Sequence, residues 1–309
     1  MFPFGRDRIP ELISKPEPRA CYTFFMKAII GAHISAAGGY VKAVERVVAI
    51  GGNALQLFST SPRGWGTAKI SPEDAEAFRV ARKKAGIDPV YFHASYLINL
   101  SDPGRVGTLS KKALITELTA AGKMQVRGSI VHLGSFKDGD GGKVGAHKNY
   151  PVLIKNIYEV LAKTPKETLF IIENAGNRKI GRRFEEIGKI IGDVGDSRLK
   201  VCLDTCHLHA AGYDLRTEEA LHTLLKRFDE LIGPARLECI HVNDSRDAAG
   251  SLRDRHENIG SGEVGEEVFR LLFRNPKTRS IPFITEVPGY DGLGPDKKNI
   301  DRLKALAFP

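Results

Sequence analysis

The sequence has no long hydrophobic run and few cysteines. None of the apolar stretches in its 309 residues approaches the roughly 20 residues that an α-helix needs to cross a bilayer, so the sequence predicts no membrane span. The four cysteines, Cys21, Cys202, Cys206 and Cys239, form no C-x-x-C pair, which argues against a zinc ribbon or a thioredoxin-type motif. We interpret them as reduced thiols of a cytoplasmic protein.

The first 26 residues lack the features of a targeting signal. This segment contains four prolines and no continuous apolar region. Its acidic residues Asp7, Glu11 and Glu17 also argue against an organelle transit peptide. We therefore expect residues 1–26 to be an N-terminal extension without fixed structure. No linker-like stretch follows, so residues 27–309 are expected to form one domain.

Basic residues outnumber acidic ones. Lys and Arg total 46 against 37 Asp and Glu, which gives a formal net charge of +9. This balance favours an anionic partner such as nucleic acid, although many basic proteins bind no anion. The 42% hydrophobic content is ordinary for a globular protein, and a chain of this length can bury a large core.

From Lys27 onwards, short apolar runs alternate with stretches of helical period. The apolar runs have the length of buried strands and occupy residues 27–33, 54–59, 89–93, 128–132, 168–173, 199–204, 237–241 and 282–286. The clearest helical stretches are 71–86, 104–126, 148–163, 216–232 and 296–307. Eight strands that alternate with eight helical segments predict an α/β fold, a (β/α)8 TIM barrel in a single domain.

Polar and ionisable side chains end these strands. Seven of the eight strands finish on His33, His93, His132, Glu173, Asp204, His241 and Glu286, and the remaining strand carries Gln56. In a parallel barrel all C-terminal strand ends lie on the face where active sites form, so these side chains should converge. Burying so many carboxylates and imidazoles is costly unless they are paired or bind metal. Internal salt bridges are the alternative, but neutral histidines do little to offset carboxylates.

Three further residues extend this set. His207 follows Asp204 by three residues in CLDTCHLHAAGYD, where a strand is expected to run into a loop. Asp254 and His256 have the spacing that puts a carboxylate and an imidazole on one side of an extended segment. Such a cluster suggests several metal ions, and multinuclear centres hydrolyse phosphate esters. Ligands without thiolate suit a catalytic zinc, although manganese accepts the same groups.

Eight ordered motifs carry a family resemblance. They are GAHIS (31–35), QLFSTSPRGW (56–65), FHASYLINL (92–100), HLGS (132–135), IENAG (172–176), CLDTCHLHAAGYD (202–214), HVNDSRDAAGSLRDRHENIGSGEVG (241–265) and TEVPG (285–289). Through these motifs the chain resembles endonuclease IV, the zinc-dependent apurinic/apyrimidinic endonuclease family of base-excision repair. The likeness runs from about Met26 to the C-terminus. The chain departs from the family pattern at Leu133, where proline is usual, and in the short basic loop after Glu173.

The resemblance implies three zinc ions per chain and a ligand role for nine residues. They are His93 and His132 for the first zinc, Glu173 as the bridge to the second, Asp204, His241 and Glu286 for the second, and His207, Asp254 and His256 for the third. Glu173 and Glu286 are implied as the catalytic carboxylates. The implied reaction is hydrolysis of the phosphodiester 5′ to an abasic site by a zinc-activated water. Its products would end in a 3′-hydroxyl and a 5′-deoxyribose phosphate.

The implied partner is double-stranded DNA that contains an abasic site. The resemblance also implies a monomer, and no membrane partner is expected. Arg63, Tyr96 and Leu97 match the family's DNA-penetrating residues, although Tyr96 and Leu97 could instead cap the local core. We interpret basic residues on the same face as phosphate contacts, with Arg255 foremost because it lies between two proposed ligands. The others are Arg178, Lys179, Arg182, Arg183, Arg246 and Arg253.

The other histidines and Gln56 receive lesser roles. His33 and Gln56 are expected to line the pocket or to hold the ligands in place. His147 and His222 fall in or near predicted surface helices and are expected to be solvated. His209 has no ligand role in the family pattern.

Two other functions stay open on the sequence. A metal-dependent sugar isomerase or epimerase on the same barrel would account for Glu173, Asp204, His241 and Glu286. It would leave the other five proposed ligands and the basic loops unexplained. A catalytically inactive DNA-binding barrel would keep the basic loops but should have lost ligands, and none is missing here. Fold alone cannot decide among these functions, so the decision rests on the site residues.

Overall fold

Eight parallel strands close into a barrel in the computed structural model, which describes residues 28–66, 68–137 and 144–308. The barrel strands are β1 (Ile30–His33), β2 (Ala54–Phe58), β3 (Val90–His93), β4 (Gly128–Val131), β5 (Leu169–Glu173), β6 (Leu199–Asp204), β7 (Leu237–His241) and β10 (Phe283–Thr285). Strands β8 (Asp244–Ser245) and β9 (His256–Glu257) form a separate antiparallel pair between β7 and β10. Strand β10 closes the ring against β1, which confirms the predicted TIM barrel.

Helices alternate with the strands along the chain. They are α1 (Tyr40–Ala49), α2 (Pro72–Ala85), α3 (Arg105–Met124), α4 (Tyr150–Ala162), α5 (Phe184–Val194), α6 (Thr205–Ala210), α7 (Glu218–Leu231), α8 (Glu266–Arg274) and α9 (Lys297–Ala307). Local signals set their bounds: the Ser71 hydroxyl accepts a hydrogen bond from the Asp74 amide at the start of α2, and Gly86 ends that helix with φ 68°. The five predicted helical stretches agree with the observed helices to within two residues at each end.

A layer of mostly apolar side chains fills the barrel below the strand ends. It consists of Ala54, Tyr91, Ile130, Ile171, Cys202, Cys239 and Ile284, all fully buried. Each of these residues stands two positions before a polar residue of the strand-end set, as Ile171 stands before Glu173. Because side chains alternate along a strand, both members of each pair point into the barrel. The polar side chains therefore rest on a closed apolar floor.

Some expectations for individual residues were wrong or fall outside the described part of the chain. His147 is buried and stacks on Phe136 with ring centroids 4.2 Å apart, so the prediction that it is solvated was wrong. His222 is exposed, as expected. The prediction for residues 1–26 lies outside the described residues and stays a prediction. Among the described residues, no helix combines the length and apolarity that a membrane span requires.

The substitution Gly31→Ala should strongly destabilise the barrel. A Cβ added at Gly31 would lie 2.1 Å from the carbonyl oxygen of Ala54 on the paired strand β2, where backbone cannot move aside. We expect a loss of about 3 kcal/mol or more in the free energy of unfolding, measured by urea denaturation. The control is Gly192→Ala in α5, where no atom lies within 4 Å of the added Cβ. That variant should be neutral or gain up to about 1 kcal/mol. Equal losses in both variants would contradict the clash at Gly31.

Candidate metal centre

A cleft of about 1380 Å³ opens at the C-terminal ends of the barrel strands. The nine predicted ligands gather at its floor in three donor groups, and within each group the ligand atoms lie within 4.8 Å of one another. The groups are His93, His132 and Glu173; Glu173, Asp204, His241 and Glu286; and His207, Asp254 and His256. These are the sets that the sequence predicts, with Glu173 shared by two of them.

In the first group, two imidazoles meet one carboxylate oxygen. His93 Nε2 lies 3.1 Å and His132 Nε2 lies 3.2 Å from Glu173 Oε2. Strands β3 and β5 supply His93 and Glu173, and His132 follows directly after β4. Since these three strands are neighbours in the barrel, their ends bring the three donors together without any contribution from long loops.

In the second group, one imidazole nitrogen meets three carboxylates. His241 Nδ1 lies 3.2 Å from Glu173 Oε1, 3.3 Å from Glu286 Oε2 and 3.7 Å from Asp204 Oδ2. Glu173 therefore presents one oxygen to the first group and its other oxygen to the second. This is the arrangement expected of a carboxylate that bridges two metal ions.

The third group joins His207 on α6 to Asp254 in the loop before β9 and to His256 on β9. His207 Nε2 and His256 Nε2 lie 2.9 Å and 3.5 Å from Asp254 Oδ1. The prediction that His207 follows the strand on a loop was wrong, because it lies on the short helix α6. Asp204 caps that helix: its Oδ1 accepts a hydrogen bond from the His207 amide at 2.8 Å. Its other oxygen lies 3.7 Å from His256 Nε2, so Asp204 links the second and third groups.

Second contacts fix the orientation of most of these imidazoles. In His93 and His241 the nitrogen that faces away from the carboxylates meets an oxygen, Ala94 O at 2.9 Å and Gln56 Oε1 at 2.8 Å respectively. His207 Nδ1 lies 3.0 Å from Asn174 O and also 3.2 Å from Glu173 Oε1. In metal centres such contacts select the tautomer whose other nitrogen is free to bind the ion. The other nitrogen points at Glu173 in His93 and His241, and at Asp254 in His207.

The donor set fits zinc. Ligand atoms placed 2.0–2.1 Å from a tetrahedral zinc lie roughly 3.3 Å apart. The histidine–carboxylate pairs within the three groups lie between 2.9 and 3.7 Å apart, and all donor atoms of a group lie within 4.8 Å of one another. In addition, His256 Nε2 is buried without a hydrogen-bond partner among the described residues, although it points at Asp204 and Asp254. A buried nitrogen in that position is satisfied if it binds a cation.

The electrostatics of the centre show a strong demand for positive charge. Burial alone would raise the pKa of Glu173, but His132 and His241 hold it well below the usual range. Burial would also raise the pKa of Glu286, but His241 and His33 hold it well below the usual range. Burial would lower the pKa of His241, but Cys202, Glu286 and Glu173 nearby hold it well above its usual value. His132 is the exception, since burial lowers its pKa to about 4. Without metal, protons on some histidines must balance the carboxylates.

Three residues with side-chain amides contact the proposed ligands without being ligands themselves. Gln56 contacts His241, His33 and Glu286, which agrees with its expected holding role. Asn243 was missed: its amide nitrogen donates to Asp204 Oδ2 and its oxygen accepts from the Glu286 amide, both at 2.7 Å. Asn174 was also missed, and its side-chain oxygen accepts from the Asp204 amide at 2.6 Å. Asn174 follows Glu173 by one residue and Asn243 follows His241 by two, and the sequence offers no other signal for their role.

Exposed aromatic and basic side chains surround the cleft. Tyr96 and Leu97 are 60% and 37% exposed, and the Tyr96 ring packs edge-on against Phe58 with ring centroids 5.3 Å apart. Arg63 and Tyr96 line the cleft, together with Arg246 and Arg255. Of the other basic residues predicted to contact phosphate, Arg178 and Lys179 line a separate hollow of about 500 Å³.

The arginines between β8 and β9 are held in ion pairs. Arg255 Nε lies 2.7 Å from Asp247 Oδ2, and Arg253 Nη1 lies 3.6 Å from the other oxygen of the same carboxylate. Arg246 Nε lies 3.1 Å from Glu257. The sequence placed these arginines on the correct face but gave no sign of their acidic partners.

Comparisons with known proteins agree with this arrangement. A family model of xylose isomerase-like TIM barrels matches residues 44–306. A probable endonuclease 4 from Halothermothrix orenii is 37% identical over 284 residues, which cover 89% of this chain and 99% of that protein. The crystal structure of endonuclease IV from Thermus thermophilus has a TM-score of 0.78 at 33% identity and covers 90% of this chain and 98% of its own.

A sugar epimerase shares the fold. The crystal structure of 3-keto-D-glucoside 4-epimerase from E. coli has a TM-score of 0.63, covers 91% of this chain and 99% of its own, and is 15% identical. At that identity the likeness concerns the fold alone. The fold and the donor groups at the strand ends thus define a xylose isomerase-like TIM barrel. Within that class, the chain belongs to the endonuclease IV family.

Metal should reverse the pH dependence of stability. Without metal, His207 and His241 have raised pKa values, so the folded state binds more protons than the unfolded state above the ordinary histidine pKa of about 6.5. The free energy of unfolding of the metal-free protein should therefore fall as pH rises above that value. With zinc bound, the ligating histidines are deprotonated in the folded state, and stability should instead rise as pH increases through about 6.5.

The measurement is urea denaturation of chelator-treated and zinc-loaded protein between roughly pH 6 and 9. Titrating groups outside the centre contribute equally to both series, so the difference between the two curves reports the centre alone. Parallel curves would show that the histidines and carboxylates form an ion-pair network that metal does not enter.

Proposed function

We propose that this chain is a zinc-dependent apurinic/apyrimidinic endonuclease of base-excision DNA repair. It hydrolyses the phosphodiester 5′ to an abasic site in double-stranded DNA and leaves a 3′-hydroxyl and a 5′-deoxyribose phosphate. The observation that carries the proposal is the connection of three donor groups at the floor of one open cleft, through Glu173 and Asp204. A phosphoryl transition state spreads negative charge over several oxygens, and a multinuclear centre can offset it on more than one side.

Three zinc ions per chain are proposed as the cofactor. The residues that would hold them are His93, His132 and Glu173 for the first, Glu173, Asp204, His241 and Glu286 for the second, and His207, Asp254 and His256 for the third. Zinc bound at such sites lowers the pKa of water to about 7 and offsets negative charge on the phosphate. We assign the catalytic carboxylates as Glu173 and Glu286, because they flank His241 Nδ1 and set the charge at the cleft floor.

The chain's own polar groups keep this floor in one arrangement. Gln56 donates to Glu286 and contacts His241, so it holds both in place from beneath. Asn243 spans Asp204 and the backbone of Glu286 in the same way. Because these amides hold His241, Asp204 and Glu286, the three residues need little reorganisation when charge develops on a bound phosphate.

Substrate selection is assigned to the exposed residues of the rim. An abasic nucleotide has lost its stacking, so it leaves the duplex at lower cost than an intact one. Tyr96 and Leu97 present apolar surface to solvent beside the cleft, and Arg63 lies on the same rim. We propose that these three residues wedge into the duplex at the damaged site. Arg255 is proposed to contact the DNA backbone, and the enzyme is proposed to act as a monomer.

The two alternatives account for less of the site. A sugar isomerase or epimerase requires one group such as that of Glu173, Asp204, His241 and Glu286. It gives no role to the other five of the nine donors, which belong to the first and third groups. An inactive DNA-binding barrel gives no reason for the three groups to be complete.

The proposed reaction predicts cleavage of a labelled duplex that carries one tetrahydrofuran abasic analogue. Hydrolysis at phosphorus needs no aldehyde, so zinc-loaded protein should cut this substrate, whereas a β-elimination lyase should not. The product should carry a 3′-hydroxyl that a polymerase extends. The control is Glu173→Gln, which should fold but bind less zinc and lose most cleavage, since the shared charge is gone. Turnover of a free ketose or aldose without cleavage of the duplex would favour the isomerase.

The wedge predicts a loss of binding without a loss of stability. Leu97→Ala should reduce kcat/KM on the abasic duplex by roughly tenfold, because an apolar contact with the opened stack is removed. Zinc content and melting temperature should stay nearly unchanged, since Leu97 is 37% exposed. The matched control is Leu231→Ala at the end of α7, where the leucine is 39% exposed, whereas Leu97 adjoins Tyr96, which lines the cleft. Equal kinetics for the two variants would remove Leu97 from the wedge, and a drop in stability would place it in the core.

A further inference from the structure

The carboxylate of Asp247 lies between Arg253 and Arg255, of which Arg255 lines the cleft. Arg255 donates to it through Nε at 2.7 Å and also through Nη2, while Arg253 Nη1 lies 3.6 Å away. These two arginines flank Asp254, a proposed ligand of the third zinc. The Asp247 side chain is 9% exposed, whereas those of Arg253 and Arg255 are 68% and 54% exposed. The acid is therefore covered by two cations whose outer edges face solvent.

The shape of this segment does not depend on the Asp247 carboxylate. The backbone carbonyl of Asp247 accepts from His209 Nε2 at 3.1 Å and from the Ser245 hydroxyl at 3.0 Å. The Arg246 amide donates to the carbonyl of Arg255 at 3.0 Å, which continues the pairing of β8 with β9. The main chain is thus fixed on both sides of the acid. The contacts left to the carboxylate itself are largely those with the two guanidinium groups.

Pairing with acids is a shared feature of the arginines in this segment. Arg246 lies 3.1 Å from Glu257, so all three of its arginines have a carboxylate partner. Arg63, which also lines the cleft, has no acidic partner within 4 Å among the described residues. In the described part of the chain, the rim therefore combines Arg63, an arginine of the proposed wedge without an acidic partner, with a group of arginines whose charge is offset.

We propose that Asp247 limits the affinity of the enzyme for undamaged DNA by competing with backbone phosphates for Arg253 and Arg255. The inference rests on the proposed function. Contacts with phosphates are the same at every position of a duplex, so they strengthen binding to intact and damaged DNA alike. An arginine that must give up a carboxylate before it meets a phosphate contributes less to this general binding. Discrimination then depends more on the wedge, which engages only where the stack can open.

The test is the variant Asp247→Asn, compared with wild-type protein in the zinc-loaded state. Binding of an intact duplex of defined sequence should tighten roughly threefold to tenfold at low salt, and the slope of log Kd against log salt should steepen by about one. The same intact duplex should become a stronger competitor of abasic-site cleavage. Zinc content should not change. Adding Arg255→Gln to the variant should return the salt slope towards the wild-type value.

A matched control separates local from general charge effects. Glu185→Gln removes one negative charge and frees Arg227, in a pair between the helices α5 and α7 that does not line the cleft. It should leave the salt slope unchanged, and an equal change in both variants would overturn the proposal. Weaker binding and lower zinc content in Asp247→Asn would also overturn it, because Asp247 would then position the third group. Unchanged affinity overturns it as well.

A wild-type protein that neither binds nor cleaves abasic DNA would instead refute the proposed function, and this inference with it.

Discussion

The Glu173 carboxylate is the constraint on which the rest of the centre depends. It is fully buried, and its two oxygens face different partners, with His93 and His132 on one side and His207 and His241 on the other. A buried charge of this kind is costly unless opposite charge surrounds it. The orientation of one side chain therefore fixes where cations can lie and joins two donor groups. Asp204 extends the connection to the third group, so no group is electrostatically independent of the others.

The position of Glu173 follows from the alternation of side chains in a barrel strand. Ile171 fills the interior two residues earlier, and the same spacing relates Tyr91 to His93 and Cys202 to Asp204. This regularity explains why the sequence predicted so much of the floor. A strand-length apolar run that ends on an ionisable residue identifies both the strand and the face that its end occupies. The first two donor groups need no further information, since their members stand at or next to strand ends.

The third group and the supporting contacts were less accessible to prediction. His207 lies on α6 because the Asp204 side chain caps that helix, and periodicity over six residues is too short to show it. Asn243 and Asp247 act through contacts with side chains that no repeat or spacing connects to them. His147 is buried by stacking on Phe136, which lies in the same connection between β4 and α4. Such contacts depend on the three-dimensional path of the loops, and a local pattern in the sequence carries no record of that path.

The separation of the second donor group from the first and third groups also explains how one barrel class can serve different chemistry. The second donor group uses β5, β6, β7 and the end of β10, and a single group of this kind suffices for one metal ion. The ends of β3 and β4 add the first group, and α6 with the loop before β9 adds the third. These additions cost the barrel no change in strand order. Similarity of fold to a sugar epimerase is therefore compatible with a different reaction, because a likeness at 15% identity concerns the fold and not the side chains of the site.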